Sequence, residues 1–473
     1  MQRSRTALRL GTAAISTGLL TLPVPSHALP AGGNHAEGGV SRIMTAPPRP
    51  ETFRTPDGKL GWKLHVPGGK PLATPAYDGG MVFIGGGYGS HEFYALDSGT
   101  GEVKWQVRTG DDGPTAAIVH RGRVIFNTES CTLYVLDARN GREVWSRWLG
   151  DPLMNQPAAE GDKIYMAYPD SKGRTGGGHR LACFELETGK TIWDSPVETD
   201  IISAPVLAED GVYATCMDGT IYRFDKENGR LLWKNQRQAT SAPLIRNGEV
   251  YATVRETTKG RPGSPEPSIH EEKVVSYAVA GGEVRQKEMI KRPAMYLAHA
   301  NADEVSAQAA QDASVGFGSA PAAAKLGKAQ ENISTLGTVS AGWRYQGSRG
   351  AYADGHLYNA MGDTVTCVDP KSGAKLWEQK FDNKDRGRLL TPPSIAGDQM
   401  AVGTYSGNVT LMSRKDGKKS YDIPVGAPVT FQPALAKGWI YAGTEAGTIV
   451  GVNTGDATVD GWPMWGGSPG HNK

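Results

Sequence analysis

The chain has 473 residues, 38% hydrophobic and 62 of them glycine, enough to bury a large core and, by length alone, to form two or three domains. Its 51 basic and 49 acidic residues leave a formal net charge of +2, a near balance that gives no electrostatic footprint for nucleic acid. The four cysteines, Cys131, Cys183, Cys216 and Cys367, lack the close spacing of a zinc knuckle or a dithiol redox motif.

At the N-terminus, Arg3, Arg5 and Arg9 precede an apolar stretch from Leu10 to Val24, then Ser26-His27-Ala28. That charged, apolar, small-residue order predicts a secretory signal peptide over 1–28, cleaved after Ala28. The apolar stretch is shorter than the roughly 20 residues of a spanning helix, and no cysteine near the cleavage point offers a lipid attachment site. The mature chain is expected to be periplasmic or secreted, with 29–56 as a flexible N-terminal segment. No later stretch is long and apolar enough to span a bilayer. An exported protein is free to oxidise its thiols, and buried free thiols are the expectation here, with one disulfide as the alternative and its pairing open.

From residue 57 onward one unit repeats. A polar turn ends in Gly, and an aromatic residue follows four positions later: Gly101 and Trp105, Gly141 and Trp145, Gly189 and Trp193, Gly229 and Trp233, Gly373 and Trp377, Gly417 and Tyr421. In front of the turn lies an alternating apolar run such as Phe93-Tyr94-Ala95-Leu96-Asp97, which reads as a half-buried strand leaving through a hairpin. Upstream of each is a small-residue or proline element: Thr74-Pro75, Thr115-Ala116, Gln156-Pro157, Ala204-Pro205, Ala242-Pro243, Arg349-Gly350, Pro392-Pro393 and Gln432-Pro433. These are eight, and so are the turn glycines once Gly282 and Gly455 are added, at steps of 40, 48, 40, 53, 91, 44 and 38. A period near 40 with about four short strands per unit predicts the blades of a β-propeller, because one small sheet buries both faces only when neighbours stack on it.

Asp57-Gly58-Lys59-Leu60-Gly61-Trp62 repeats the second half of the motif with no first half before it. It is expected to supply the outer strand of the last blade, joining 424–453 and removing an open sheet edge. The recurrent Trp is read as packing between adjacent blades. Gln286 takes its place in blade 5 and Val459 in blade 8.

Departures from the repeat mark candidate functional segments. The step of 91 predicts an inserted segment near 287–341, with short helices over 302–313 and 320–333. Smaller insertions fall at 169–180 and 255–272, between second and third strands. Gly85-Gly86-Gly87 and Gly176-Gly177-Gly178 each lead into a strand, not a helix, so neither is a phosphate loop. His91 and His179 each lie ten residues before their motif glycine and so share a place in blades 1 and 3. They are read as solvated hairpin residues, with metal binding as the alternative. No Ser/His/Asp order, HExxH run or EF-hand loop is present, so no catalytic residue and no metal ligand is assigned.

The consensus shown by Ser203-Ala204-Pro205 through Trp233 resembles the quinoprotein-like, PQQ-repeat β-propellers over roughly 57–465. The resemblance implies an all-β, eight-bladed propeller of four-stranded antiparallel blades closed by an N-terminal strand, with 466–473 left as a C-terminal tail. One branch, the quinone-dependent alcohol dehydrogenases, binds PQQ and calcium beneath an adjacent Cys-Cys pair. No two cysteines are adjacent here, and no cofactor-binding or catalytic position carries over. The other branch is BamB-like, and its length and export signal match better. Asp460-Gly461-Trp462-Pro463-Met464-Trp465-Gly466-Gly467-Ser468 resembles a segment common at the edges of these propellers and is read as packing across the closure.

The expected function is therefore a non-catalytic envelope scaffold that binds protein partners, with no cofactor. A PQQ- and calcium-dependent oxidoreductase is the main alternative. A glycan-binding propeller using exposed rings such as Tyr88 or Trp462 is the third.

Overall fold

The structure, a computed structural model, describes residues 39–43, 45–150, 155–170, 178–258, 269–278, 287–293, 349–381 and 390–473. Within them are eight antiparallel sheets. Blade 1 runs from axis to rim through Ala76–Asp78, Met81–Gly85, Glu92–Asp97 and Val103–Arg108, and the other blades repeat that order. The innermost strands are only three residues long: Ile118–His120, Ala158–Glu160, Val206–Ala208, Leu244–Arg246, Ala351–Ala353, Ser394–Ala396 and Ala434–Ala436 follow Ala76–Asp78. Short inner strands suit a crowded axis, and the last of them touches the first, which closes the ring.

Leu60–His65 pairs antiparallel with Thr448–Asn453 and is the fourth strand of blade 8. Trp62 stands opposite Gly451, as Trp233 stands opposite Arg223 in blade 4. The ring of blade 8 is thus Trp62, which corrects the assignment of Val459 to that place. Val459 is buried beyond the last strand, where its carbonyl accepts from Gly438 N. Of the segment 29–56, residues 29–38 and 44 lie outside the described residues, and the rest is not simply a flexible lead. Ser41–Arg42 adds a fifth strand to blade 1, and Glu51–Arg54 adds one to blade 8, where Phe53 covers the edge above Gly61. Phe53 provides the physical reason, since its ring packs on the apolar cluster shared by blades 6, 7 and 8.

Two insertions are smaller than their spacing implied. Lys287–Pro293 belongs to the propeller as the rim strand of blade 5, pairing with Glu271–Ser276, so the extra chain begins after it. There Ser276 faces Lys287, while Gln286 and the predicted helices at 302–313 and 320–333 lie outside the described residues. At 255–272, Arg255–Thr258 and Ile269–Glu272 lengthen the second and third strands of blade 5 to ten residues each. Backbone pairing continues through both arms, from Arg255 opposite Glu272 to Thr258 opposite Ile269, so strand pairing absorbs them. Residues 1–28 and 171–177 also lie outside the described residues.

The C-terminal residues are not a tail. From Trp462 onward the chain runs along the axial edges of the inner strands and takes their unpaired N–H groups. Leu435, Tyr77, Ala159 and Leu207 donate to the carbonyls of Trp462, Pro463, Pro469 and Gly470 at 2.7–2.9 Å, and Ile245 donates to Asn472 Oδ1. Each inner strand has one edge paired and one facing the axis. In a closed ring those axial donors must find partners, and this segment supplies them. His471 is fully buried, with Nδ1 2.9 Å from Trp465 O and Nε2 2.8 Å from Pro157 O. Burial pushes its imidazole down to about 4. Arg349 donates to His471 O and lies over the Trp465 ring, while Gln432 Oε1 accepts from Gly466 N.

Candidate functional site

The hairpins between second and third strands, and the connections between blades, share one end of the propeller, opposite the Asp-Thr-Gly turns. Two carboxylates are recessed there. Glu129 lies in Thr128-Glu129-Ser130-Cys131-Thr132, a tight turn that blades 7 and 8 build as Thr404-Tyr405-Ser406-Gly407-Asn408 and Thr444-Glu445-Ala446-Gly447-Thr448. In all three the threonine hydroxyl accepts the N–H four residues on, at 3.1 Å. The other two turns place Gly at φ +84 and +72, whereas Cys131 holds that left-handed position at φ +58. The turn presents Glu129 to Gly89, whose N–H donates to Oε1 at 2.7 Å, across from Asp111 and Asp112. Burial, followed by the repulsion of those two aspartates, pushes the Glu129 carboxyl up to about 7.

Asp200 lies on the connection between blades 3 and 4. Its Oδ1 accepts from Ile201 N at 2.6 Å and from Asn155 Nδ2 at 3.1 Å. Asp200 is half-buried, and this burial pushes its carboxyl up to about 7. Asn127 Nδ2 in turn reaches Asn155 O at 3.3 Å, and Gln156 N reaches Ser203 O at 2.7 Å. Polar groups of blades 2, 3 and 4 are thereby linked beside the axis. Their chemistry is binding chemistry: carboxylates and amides, with no buried thiolate, since burial pushes the Cys183 thiol up to about 12 and the Cys216 thiol upward too. All four cysteines are buried free thiols.

The residues singled out from sequence fare unevenly. His91 and His179 do occupy matching places, since His91 O bonds Thr109 N and His179 pairs with Val197, each eight residues past its motif glycine. His179, however, is not a solvated hairpin residue: burial pushes its imidazole down to about 4, and its Nδ1 is buried without a partner. His91 Nδ1 lies 3.1 Å from Thr109 O. Among the described residues no three His, Cys, Asp or Glu side chains cluster to hold a metal ion. Trp462 is 2% exposed and so is no open glycan platform, because the axial course of its segment carries it into the core. Tyr88 is half-buried against Ala73, Ala116 and Phe431. Glu129, Asn155, Asp200 and Ser203 escaped the sequence reading. Only Glu129 carried a signal, through the missing glycine of its turn.

A family model described as outer membrane protein assembly factor BamB matches residues 51–175, 150–295 and 325–462. The Bordetella pertussis protein of that name is 24% identical over 307 residues, covering 63% of this chain and 72% of the relative. The tetrathionate hydrolase of Acidithiobacillus ferrooxidans is 25% identical over 223 residues, but these span 42% of this chain and 44% of the enzyme. Among solved structures, BamB from Moraxella catarrhalis superposes with a TM-score of 0.54 at 15% identity, over 85% of this chain and 100% of that one, a likeness of fold.

Proposed function

Because this chain belongs to the family of outer membrane protein assembly factor BamB, we propose that it is a non-catalytic propeller of the cell envelope that holds protein partners in outer-membrane assembly. One observation carries this reading: the axis, where a propeller enzyme would seat a flat cofactor, is threaded by the chain's own Trp462–Asn472 and sealed by buried Trp465 and His471. What remains accessible is the loops at both ends and the rim, surfaces suited to macromolecules. The location in the envelope, the absence of catalysis and the absence of a quinone belong to the same proposal. The family membership and the export signal expected over 1–28 support the location.

The test is affinity isolation of the full chain from its native envelope fraction after mild cross-linking, with the partners identified by mass. Proteins that assemble outer-membrane β-barrels are expected to be enriched. In parallel, PQQ and calcium are added to purified protein and dye reduction is followed with alcohols and sugars, with no activity expected. Quinone-dependent turnover, or an isolate without assembly proteins, overturns the proposal.

A further inference from the structure

One side chain of the axial segment has fewer protons than its surroundings ask for. His471 presents Nδ1 to Trp465 O at 2.9 Å and Nε2 to Pro157 O at 2.8 Å. Both partners are carbonyls and only accept, whereas a neutral imidazole carries a single N–H. The ring can therefore donate within its own segment or to blade 3, and one carbonyl goes without. A second proton would serve both. It would also place a full charge in a fully buried residue, against the edge-on Trp465 indole at 4.8 Å.

The surrounding charges oppose that proton. Arg349 donates to the His471 carbonyl, Arg246 donates to the carbonyl of Asn472, and Lys473 follows two residues on. All three are cations, and among the described residues none is ion-paired to a carboxylate; Asp460, which acts on Lys473, is bonded by Lys437. Burying a charge without a counter-charge costs more than one further hydrogen bond returns. Burial first, then Arg349, accordingly hold the proton affinity of this imidazole down, to about 4. Released from the axis into water, the same ring would take its proton near its ordinary value of about 6.5.

We propose that His471 is an acid-sensitive latch on the axial seal: its neutral ring keeps Trp462–Asn472 fastened to the inner strands, and a second proton, arriving beside Arg349, unfastens it. Because the ring binds its proton less tightly in place than when free, the latch contributes fully above about pH 6.5 and loses that contribution as pH falls toward 4. This device is independent of the envelope role, since every group in it belongs to the ring of this chain.

The full chain labelled with 13C at histidine Cε1 reports the proton directly, the His471 signal being the one lost in His471→Gln. It is expected to titrate at about 4, apart from the exposed histidines. Amide hydrogen exchange, read by mass on peptides carrying Ala159 and Leu207, reports the seal. Between pH 7 and pH 4.5 their protection is expected to fall at least about tenfold relative to Thr132–Asp137 in blade 2, given a free imidazole near 6.5. His471→Gln keeps an amide donor and cannot gain a charge, so its axial peptides are expected to show no such fall. His471→Asn, equally neutral, makes the same comparison should the longer amide disturb folding. Titration of His471 at or above pH 6.5, unchanged axial protection in wild type at pH 4.5, or the same loss in the neutral variants overturns the latch.

Discussion

Asp200 and Glu129 are ionisable groups held where their neutral forms are favoured. An aspartate raised from 3.8 to about 7 binds a proton more tightly in the folded chain than in the unfolded one. Its contribution to stability is therefore fully present below pH 4 and is lost as pH rises through 7. Glu129, raised from 4.5 to about 7, acts in the same direction. Asp97 and Asp137 oppose them: their carboxyls are held below the usual range, Asp97 by Lys104 and backbone N–H groups against the pull of burial, Asp137 chiefly by Arg139. Asp200→Asn retains an oxygen for Ile201 N and Asn155 while removing the charge. We expect the variant to be more stable than wild type at pH 8, by on the order of 2 kcal/mol, and equal to it at pH 4. Urea unfolding at both pH values measures this. A gain at pH 4, or none at pH 8, would contradict an uncompensated carboxylate.

At the scale of the blade, the Gly and Trp of the motif turn out to be one device shared by two blades. Trp62, Trp105, Trp145, Trp193 and Trp377 each donate their indole N–H, at 2.8–3.0 Å, to the carbonyl just past the third strand of the next blade: Ser98, Ala138, Leu186, Lys226 and Arg414. Each indole then lies against that next blade's turn glycine. A Cβ on Gly141 would come within 2.6 Å of Trp105, and one on Gly189 within 2.9 Å of Trp145. These glycines also sit at φ +69 and +68, so two constraints act on one position. Gly455 follows Tyr421 rather than a Trp, has φ +76 and has open space around it. Gly455→Ala is expected to cost about 1 kcal/mol from backbone strain alone, and Gly141→Ala about 3 kcal/mol because the indole must also move. Denaturant midpoints of the two variants compare these costs directly, and equal losses would show that the indole contact contributes nothing.

The ring as a whole is closed at its rim and again along its axis. At the rim, Trp62 reaches Ser98 in blade 1 from a strand that completes blade 8, so the N-terminal segment bridges the gap between last and first blades. Along the axis, Trp462–Asn472 bonds to inner strands of blades 8, 1, 3, 4 and 5. Each of those N–H groups would otherwise lie buried and unpaired, at about 1–3 kcal/mol apiece. Truncation after Asp460 is therefore expected to lower the thermal midpoint substantially and broaden the transition by circular dichroism. An unchanged melt would mean that the axial segment is dispensable.

The number of blades, the strand and turn pattern and the place of most rings were legible from the residues. The same contact recurs about every 40 positions, and six of the eight recurrences repeat both the Gly and the aromatic four positions later. A strand at 60–65 completing blade 8 was legible for the same reason. The axial plug was not, because Trp462–Asn472 follows no repeat and meets five blades whose inner strands are scattered through the chain. The polar cluster was equally silent: Asn155 and Asp200 are 45 positions apart and meet only because the curvature of the ring turns both connections toward the axis. Periodic sequence thus determined the contacts between neighbouring blades. The tertiary ring alone decided which unlike residues face one another across its centre, since that depends on angles accumulated over all the blades.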